Sequence, residues 1–388
     1  SIGALAASGI GAAGAGAGVM TRLIARCDLT RPAFRYDLTR SNFRLHARLD
    51  IPAQGITAVF GRSGSGKTTL LRCLAGLERN AAGLISVNGS VWQESSKGIF
   101  IPVHQRAVGM VFQQPCLFPH LTVRANLNYG LTRTPLAERH MPWNQVIEIL
   151  GIGALLERYP QHLSLGEQQR VSIGRAVLSN PCLLLMDEPL ASLDVQRKDE
   201  ILPFIKRLNW EMNIPVIYVS HSVQEIVQLA DTLVLVHEGQ ATVTGPIHEI
   251  FSRLGMEEYF GEVAGAVIDA QVIAHEAEFD LTCLEFYGRR LYVPRHPLNI
   301  GDRVRVHILS RNVSLSLAPP QAPTSVLNII EAYVVEIGAT VPGKPAVEVK
   351  LDAGCPMLAT ITRKSLHALA LSPGQRVYAS IKAASLQP

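Results

Sequence analysis

The stretch 61-GRSGSGKT-68 has the residue types and the spacing to hold a chain of phosphates. It fits G-x-x-x-x-G-K-[ST], with the apolar run 56-ITAVF-60 before it and the helical run 67-KTTLLRCLAGL-77 after it. Gly64 and Gly66 let the backbone curl so that successive N–H groups face inward, at a helix N-terminus whose dipole favours anions. Lys67 adds a point charge for β- and γ-phosphates, and the Thr68 hydroxyl can ligate Mg²⁺. Gly61, Arg62, Ser63 and Ser65 complete the loop. A Gly/Ser-rich turn without a ligand is the plain alternative, but such a turn has no need of a strand on one side and a helix on the other.

A second group lies at 183-LLLMDEP-189. Apolar residues ending in an acid describe a buried strand, and open parallel sheets bind ligands at such carboxyl ends. Asp187 would hold Mg²⁺, directly or through water. Glu188 can polarise a water attacking the γ-phosphate, help worth roughly 10²–10⁴ in rate. Two acids at a solvated strand end would look the same; their company with the phosphate loop favours chemistry. In 219-VSHSVQE-225, His221 stands just past a β-run, placed to donate a hydrogen bond to the γ-phosphate. Alone, it would read as a structural histidine.

The stretch 162-HLSLGEQQR-170 offers a third contact. Ser164-x-x-Glu167 ahead of a helical run spells a capping box, with Ser164 at N-cap, Leu165 at N1, Gly166 at N2 and Glu167 at N3. The free N–H groups of such an end make an anion site. The Ser164 hydroxyl can accept from the N3 amide and still donate to a phosphate oxygen. Gly166 lets a phosphate approach the backbone, while the Leu165 side chain can point away. Taken alone, the stretch is an ordinary helix cap.

These groups need a scaffold that gathers strand ends. From about Thr21 to Phe251 short β-rich runs alternate with helical ones, which predicts a mainly parallel sheet covered by helices, an α/β fold. Strands are expected at 56–60, 183–186, 216–220 and 232–236, and helices at 67–77, 196–208 and 223–230. Beyond about Gly261 the texture becomes short alternating strands, as in 302-DRVRVHIL-309 and 347-VEVKL-351, and a Pro-rich joint stands at 318-APPQAPT-324. A faint repeat, 301-GDRVRVHI-308 and 374-GQRVYASI-381, predicts two related β-modules; two unrelated strands sharing a Gly-x-Arg-Val turn is the alternative.

Composition narrows the class. Of 388 residues, 36 are basic and 32 acidic, and no dense Lys/Arg run asks for a nucleic-acid partner. The six cysteines are widely spaced without a CxxC pair, so they read as small apolar residues rather than a disulfide frame or zinc site. The Gly/Ala-rich residues 1–20 are expected to be a floppy tail ahead of Met20, lacking the basic flank of a signal peptide. No stretch is long and apolar enough to cross a bilayer, so a membrane role requires docking on a protein already there.

Together the motifs resemble the nucleotide-binding subunit of ATP-binding cassette (ABC) transporters, over roughly 230 residues and in that family's order. GRSGSGKT looks like its P-loop, Gln113 in 111-VFQQPCLFPHLTV-123 like its Q-loop, HLSLGEQQR like its signature, LLLMDEP like Walker B, 191-ASLD-194 with Asp194 like its D-loop, and His221 like its switch histidine. The resemblance implies ATP and Mg²⁺ as ligands, with Thr68, Gln113 and Asp187 at the metal and Glu188, His221 and Gln113 in catalysis. The family signature normally reads Ser-Gly-Gly, so Leu165 is a departure. The resemblance also implies a homodimer, the signature of one copy closing over the P-loop of the other, at the cytoplasmic face of the cell membrane. The segment from Gln113 to about Tyr129 would receive a permease; its Leu117, Phe118 and Leu121 read equally as core. Tyr36 and Phe43 are the candidates for stacking on adenine.

Cargo is read from closer phrases. The runs 97-KGIFIPVHQRAVGMVFQ-113, 124-RANLNYG-130, 186-MDEPLASLDVQRK-198 and 310-SRNVSLSL-317 are similar to the ATPase subunit of molybdate importers. The tail 324-TSVLNIIEAYVVEI-337 with 373-PGQRVYASIKAASL-386 looks like the small oxyanion-binding β-module of molybdate-handling proteins. The implied division is 1–20 tail, 21–255 ATPase, 256–321 connecting β-module and 322–388 oxyanion module, an all-β, OB-like C-terminal part. The implied partners are membrane permease subunits and an external oxyanion-binding protein. Ser325, Asn328 and Lys382 are the oxyanion candidates, in a module that carries Val326 and Leu327 where the family often has Arg. Tungstate would share the molybdate route; another cargo (sulfate, ferric iron, sugar or polyamine) and a soluble ATPase without a permease are the other readings.

Overall fold

The computed structural model describes residues 21–31, 43–132, 134, 139–322, 324–382 and 384–387. Residues 1–20, Tyr36 and Pro323 of the Pro-rich joint lie outside the described residues. Among the described residues, eleven strands form the first sheet. They are β1 (Arg22–Arg31), β2 (Phe43–Pro52), β3 (Ile56–Phe60), β4 (Ala82–Val87), β5 (Ser90–Glu94), β6 (Ile99–Phe100), β7 (Val108–Val111), β8 (Leu183–Asp187), β9 (Val216–Ser220), β10 (Thr232–His237) and β11 (Gln240–Pro246). Their order is β6-β5-β4-β1-β2-β11-β10-β3-β9-β8-β7.

Only half of this sheet is parallel. The neighbours β10, β3, β9, β8 and β7 run parallel, whereas β2, β1, β4, β5 and β6 form an antiparallel wing. The expectation of a mainly parallel sheet is corrected to that extent. The cause is visible in burial: β3 and β9 are buried throughout, as strands covered on both faces must be. β2 buries every other residue, the period-two pattern of an antiparallel strand.

Alternate residues of β8 and β9 enter different cores, so helices cover both faces. Leu184, Met186, Val216 and Tyr218 join the core built by α2 (Val123–Leu131), α3 (Trp143–Leu150), α4 (Leu165–Leu178) and α5 (Val195–Met212). Leu183, Leu185, Ile217 and Val219 meet α1 (Lys67–Ala75) and the wing. The helix α6 (Val223–Leu229), with α7 (Ile247–Phe251) and α8 (Glu257–Phe260), packs toward the C-terminal part. Among the described residues, no helix is long and apolar enough to cross a membrane. The six cysteines form no disulfide among the described residues; Cys27, Cys73, Cys283 and Cys355 are buried as small residues, but Cys116 and Cys182 are exposed.

The C-terminal strands are β12 (Gly265–Glu276), β13 (Leu281–Phe286), β14 (Arg289–Pro294), β15 (Arg303–Leu309), β16 (Val313–Ser316), β17 (Asn328–Ile337), β18 (Ala346–Asp352), β19 (Pro356–Thr362), β20 (Arg376–Ile381) and β21 (Ser385–Gln387), with α9 (Arg363–Leu369) after β19. They form two antiparallel sheets, β14-β13-β12-β15-β21 and β16-β20-β17-β18-β19. Read backward, the second order repeats the first, and the two Gly-x-Arg-Val segments occupy matching places as β15 and β20. The final short strand of each repeat crosses over: β16 pairs with β20 and β21 with β15. Each sheet thus draws on both the 256–321 and 322–388 segments, and both line one core.

Two side chains fasten this part to the first. Arg305 donates to the carbonyls of Val227 and Ala230 at the end of α6, at 3.2 and 2.6 Å, and pairs with Asp269 at 3.0 Å. His307 donates to the Val263 carbonyl at 3.0 Å and stands edge-on to Phe251. Burial pushes the His307 pKa from 6.5 down to about 4. The folded chain therefore keeps this imidazole neutral while the unfolded chain takes up its proton first. The stabilisation is complete above pH about 6.5 and is lost as pH falls toward 4, by about 3 kcal/mol. We expect wild type to be more stable than His307→Gln at pH 7, with the gap narrowing toward pH 4 in thermal melts; a constant gap would refute this.

Candidate functional site

Parallel strands deliver their carboxyl ends to one edge, and registers decide which residues meet there. Phe60 pairs with Ser220, Val219 with Asp187, and Met186 with Val111. One or two residues further, each strand releases its functional group: Gly61 after β3, His221 after β9, Glu188 after β8 and Gln113 after β7. Gln113 is exposed at this edge.

The phosphate loop already has the curled form a polyphosphate needs. Gly64 and Gly66 have φ of 79° and 105°, where residues with a Cβ are strained. At Gly61 a Cβ would stand 2.1 Å from the Val236 carbonyl oxygen, so nothing larger fits. The buried Lys67 Nζ donates to the Gly61 and Arg62 carbonyls at 2.8 and 3.0 Å, holding the loop around itself. Burial lowers the Lys67 pKa, and the charges of Glu188 and Asp187 oppose that fall. Ser65 Oγ is buried without a hydrogen-bond partner, an orphan that a phosphate would satisfy. Arg62 and Ser63 are exposed at the rim. These observations fit a bound triphosphate.

The two acids have different surroundings. Thr68 Oγ1 donates to Asp187 Oδ1 at 2.9 Å, which brings together two hard oxygens of the kind that can hold Mg²⁺. Burial raises the Asp187 pKa, while the Thr68 hydrogen bond works against that rise. Glu188 takes φ 45°, unusual for a side-chain-bearing residue, and its N–H donates to the Val219 carbonyl at 3.0 Å. Its Oε2 lies 3.2 Å from His221 Nδ1, leaving Nε2 of that ring for another partner.

The signature stretch opens elsewhere. Ser164 caps α4 through a reciprocal capping box: Glu167 N–H donates to Ser164 Oγ at 3.3 Å, and Ser164 N–H donates to Glu167 Oε2 at 2.7 Å. That second bond holds the Glu167 carboxyl below its ordinary pKa. Leu165 packs against the helical core, which explains how a large residue sits at this position without covering the helix end. Ser164, Gly166 and Glu167 share a cleft of about 350 Å³ with Arg170, Asp194 and Arg197, and no phosphate-loop residue lines it. Asp194 caps α5 by accepting from Arg197 N–H at 3.0 Å. In one copy, then, the cleft at the signature contains no phosphate-loop residue.

The remaining candidates divide. Phe43 lies against the loop, its Cζ 3.0 Å from where a Gly66 Cβ would be; Tyr36 lies outside the described residues. Leu117 packs against the core, whereas Phe118 meets the exposed Tyr129 as a tilted pair at 4.4 Å, beneath the Arg175 guanidinium. Asn328 sits opposite Ile381, next to Lys382. Its amide already makes two bonds: Oδ1 accepts from Tyr292 N–H at 2.7 Å and Nδ2 donates to the Tyr292 carbonyl at 2.8 Å. Asn328 thus ties the two sheets together, and one Nδ2–H of its amide lies outside these bonds. Sequence reasoning also missed Glu225, Tyr218, Ser220 and Lys198, which form a buried network behind His221. The S-x-x-E spelling at 222–225 was the available signal.

Comparison with known proteins agrees with this geometry. Residues 45–191 match the ABC transporter family model and residues 324–387 the TOBE domain. The molybdenum import ATP-binding protein ModC of Aromatoleum aromaticum is 48% identical over 352 residues, 91% of this chain and 93% of that one. ModC 1 of Azotobacter vinelandii is 47% identical over 353 residues, 91% and 97% of the two chains. Among solved structures, cbiO1 from Clostridium perfringens, part of the ABC transporter complex cbiONQ, superposes with a TM-score of 0.50 at 24% identity. It covers 60% of this chain and 91% of that one, a likeness of fold.

Proposed function

The chain belongs to the molybdenum import ATP-binding proteins of the ABC transporter family, and we infer that it is the ATP-hydrolysing subunit energising a molybdate importer. The observation that carries this is identity near one half sustained over 91% of the chain, the C-terminal module included. A soluble ATPase without a permease has no need of that module.

ATP is the substrate. Inward N–H groups of Gly61–Thr68 and the Lys67 ammonium hold its phosphates, with Phe43 beside the loop on the adenine side. Thr68, Asp187 and Gln113 would hold Mg²⁺, which would supply positive charge against that of the transferred phosphoryl group. Glu188 accepts a proton from the attacking water, and His221, with Nδ1 turned to Glu188, offers Nε2 to the γ-phosphate. Ser164, Gly166 and Asp194 serve the site of a second copy, so two chains close over two nucleotides and reopen after hydrolysis.

Residues 21–255 form the ATPase unit and the β-sheets of 256–388 an appended module, where Ser325, Asn328 and Lys382 are the candidates for oxyanion contact. The subunit docks peripherally on permease subunits at the cytoplasmic face, the exposed Tyr129 and Phe118 lying on the receiving segment. An external oxyanion-binding protein delivers cargo. In proteoliposomes containing the permease, this chain and the delivery protein, ATP should drive uptake of molybdate, with tungstate competing as a tetrahedral oxyanion of like size. Uptake of sulfate, ferric iron, sugar or polyamine in place of molybdate would overturn the cargo. Failure to associate with any integral membrane protein would overturn the importer.

A further inference from the structure

Glu225 is a carboxylate only 3% exposed, on α6, and it has no place in the steps above. The hydroxyls of Tyr218 and Ser220 donate to its Oε2 at 2.8 and 2.7 Å, and the Lys198 ammonium pairs with its Oε1 at 2.9 Å. Tyr218 is fully buried, and burial together with the Glu225 charge raises its pKa, so the phenol stays a donor. Ser222 N–H donates to Ser220 Oγ at 3.0 Å. Both chain neighbours of His221 are thereby tied into one network. Lys198 belongs to the first turn of α5, where its N–H donates to the Asp194 carbonyl at 3.0 Å.

A contrast within the chain shows that the Glu225 carboxylate is not spent on a capping box, although Ser222 Oγ accepts from Glu225 N–H at 3.4 Å. Ser164-x-x-Glu167 closes a reciprocal box, the glutamate returning to the N-cap N–H. Ser222-x-x-Glu225 has the same spelling, yet its glutamate turns inward and Ser220 takes the Ser222 N–H instead. Burying an ion pair is costly, and an apolar pair of similar shape often gives a fold of equal stability. What the charged pair supplies is a fixed geometry, since every oxygen of Glu225 is directed at a named donor.

We propose that Glu225 and Lys198 are positioning residues for ATP hydrolysis, the pair of buried Glu225 and half-buried Lys198 holding the His221 loop in place against the turn that carries Asp194. This rests on the role given to His221 above. In the reconstituted complex, Glu225→Gln should lower kcat about 10- to 100-fold, the scale of a catalytic group displaced by an ångström, with KM for ATP changed less than about twofold. In a His221→Ala background, measured by single turnover, the same substitution should cost nothing further, because residues acting through one group are not additive. Ser220→Ala, which leaves the charge pair whole, should show a smaller kcat loss in the same direction. It decides the matter if Glu225→Gln does not fold, as judged by melting temperature. Equal fractional losses with and without His221, or wild-type kcat in a folded Glu225→Gln or Ser220→Ala protein, would overturn the proposal. Wild-type kcat in His221→Ala alone would instead remove the reading on which it rests.

Discussion

Glu188→Gln is expected to lower the ATPase rate of the reconstituted complex by roughly 10²–10⁴ while leaving ATP bound. The amide keeps the shape of the carboxylate and a polar atom toward His221 Nδ1, now 3.2 Å away. It cannot accept a proton from water, which is the step assigned to Glu188. Nothing that grips the phosphates is disturbed: Lys67 still lies on the Gly61 and Arg62 carbonyls and Thr68 on Asp187. The backbone at φ 45° costs Gln no more than Glu. With binding intact and hydrolysis blocked, the ATP-closed homodimer should accumulate and appear on size exclusion with Mg²⁺ and ATP. Unchanged hydrolysis would dismiss Glu188 as the base. Lost binding would make it a ligand of nucleotide instead.

The parts legible in the sequence are those governed by neighbours. A buried run, a glycine-rich turn and a helix follow one another within 56–77, so β3, the loop and α1 could be read directly. The same is true of β8 ending in Asp187 and of the Ser164–Glu167 box, whose spacing dictates both of its hydrogen bonds. The antiparallel wing was not legible, because β1 pairs with β4 across more than 50 residues of chain and period-two runs say nothing of their partners. The exchange of β16 and β21 is of the same kind: the repeat announced two modules, but no local rule says that their last strands trade places. Glu225 was hidden for another reason. Its spelling matches a cap, and only the approach of Tyr218 and Lys198 diverts it inward. Leu165 was half legible: helical φ and ψ tolerate it, but its packing against the core emerges only from tertiary structure.

That the cleft at the signature of one chain contains no phosphate-loop residue leads to the second large effect, a test of shared sites. Lys67→Ala removes the buried ammonium from the loop. Gly166→Asp places a carboxylate where phosphate must approach the α4 amides; its Cβ meets nothing closer than Ile201 Cδ1 at 3.6 Å, so the fold accepts it. Each variant alone should hydrolyse ATP about 10²–10³-fold more slowly, the scale for losing electrostatic stabilisation of a transferring phosphoryl group. Coexpressed in equal amounts, the two should regain activity. A mixed dimer then has one site with both defects and one with neither, because the intact loop of the Gly166→Asp chain faces the intact signature of the Lys67→Ala chain. Random pairing makes half the dimers mixed, so roughly a quarter of the wild-type rate should return. Were each chain to complete its own site, no pairing could restore an intact one, and the mixture would remain as inactive as its parts.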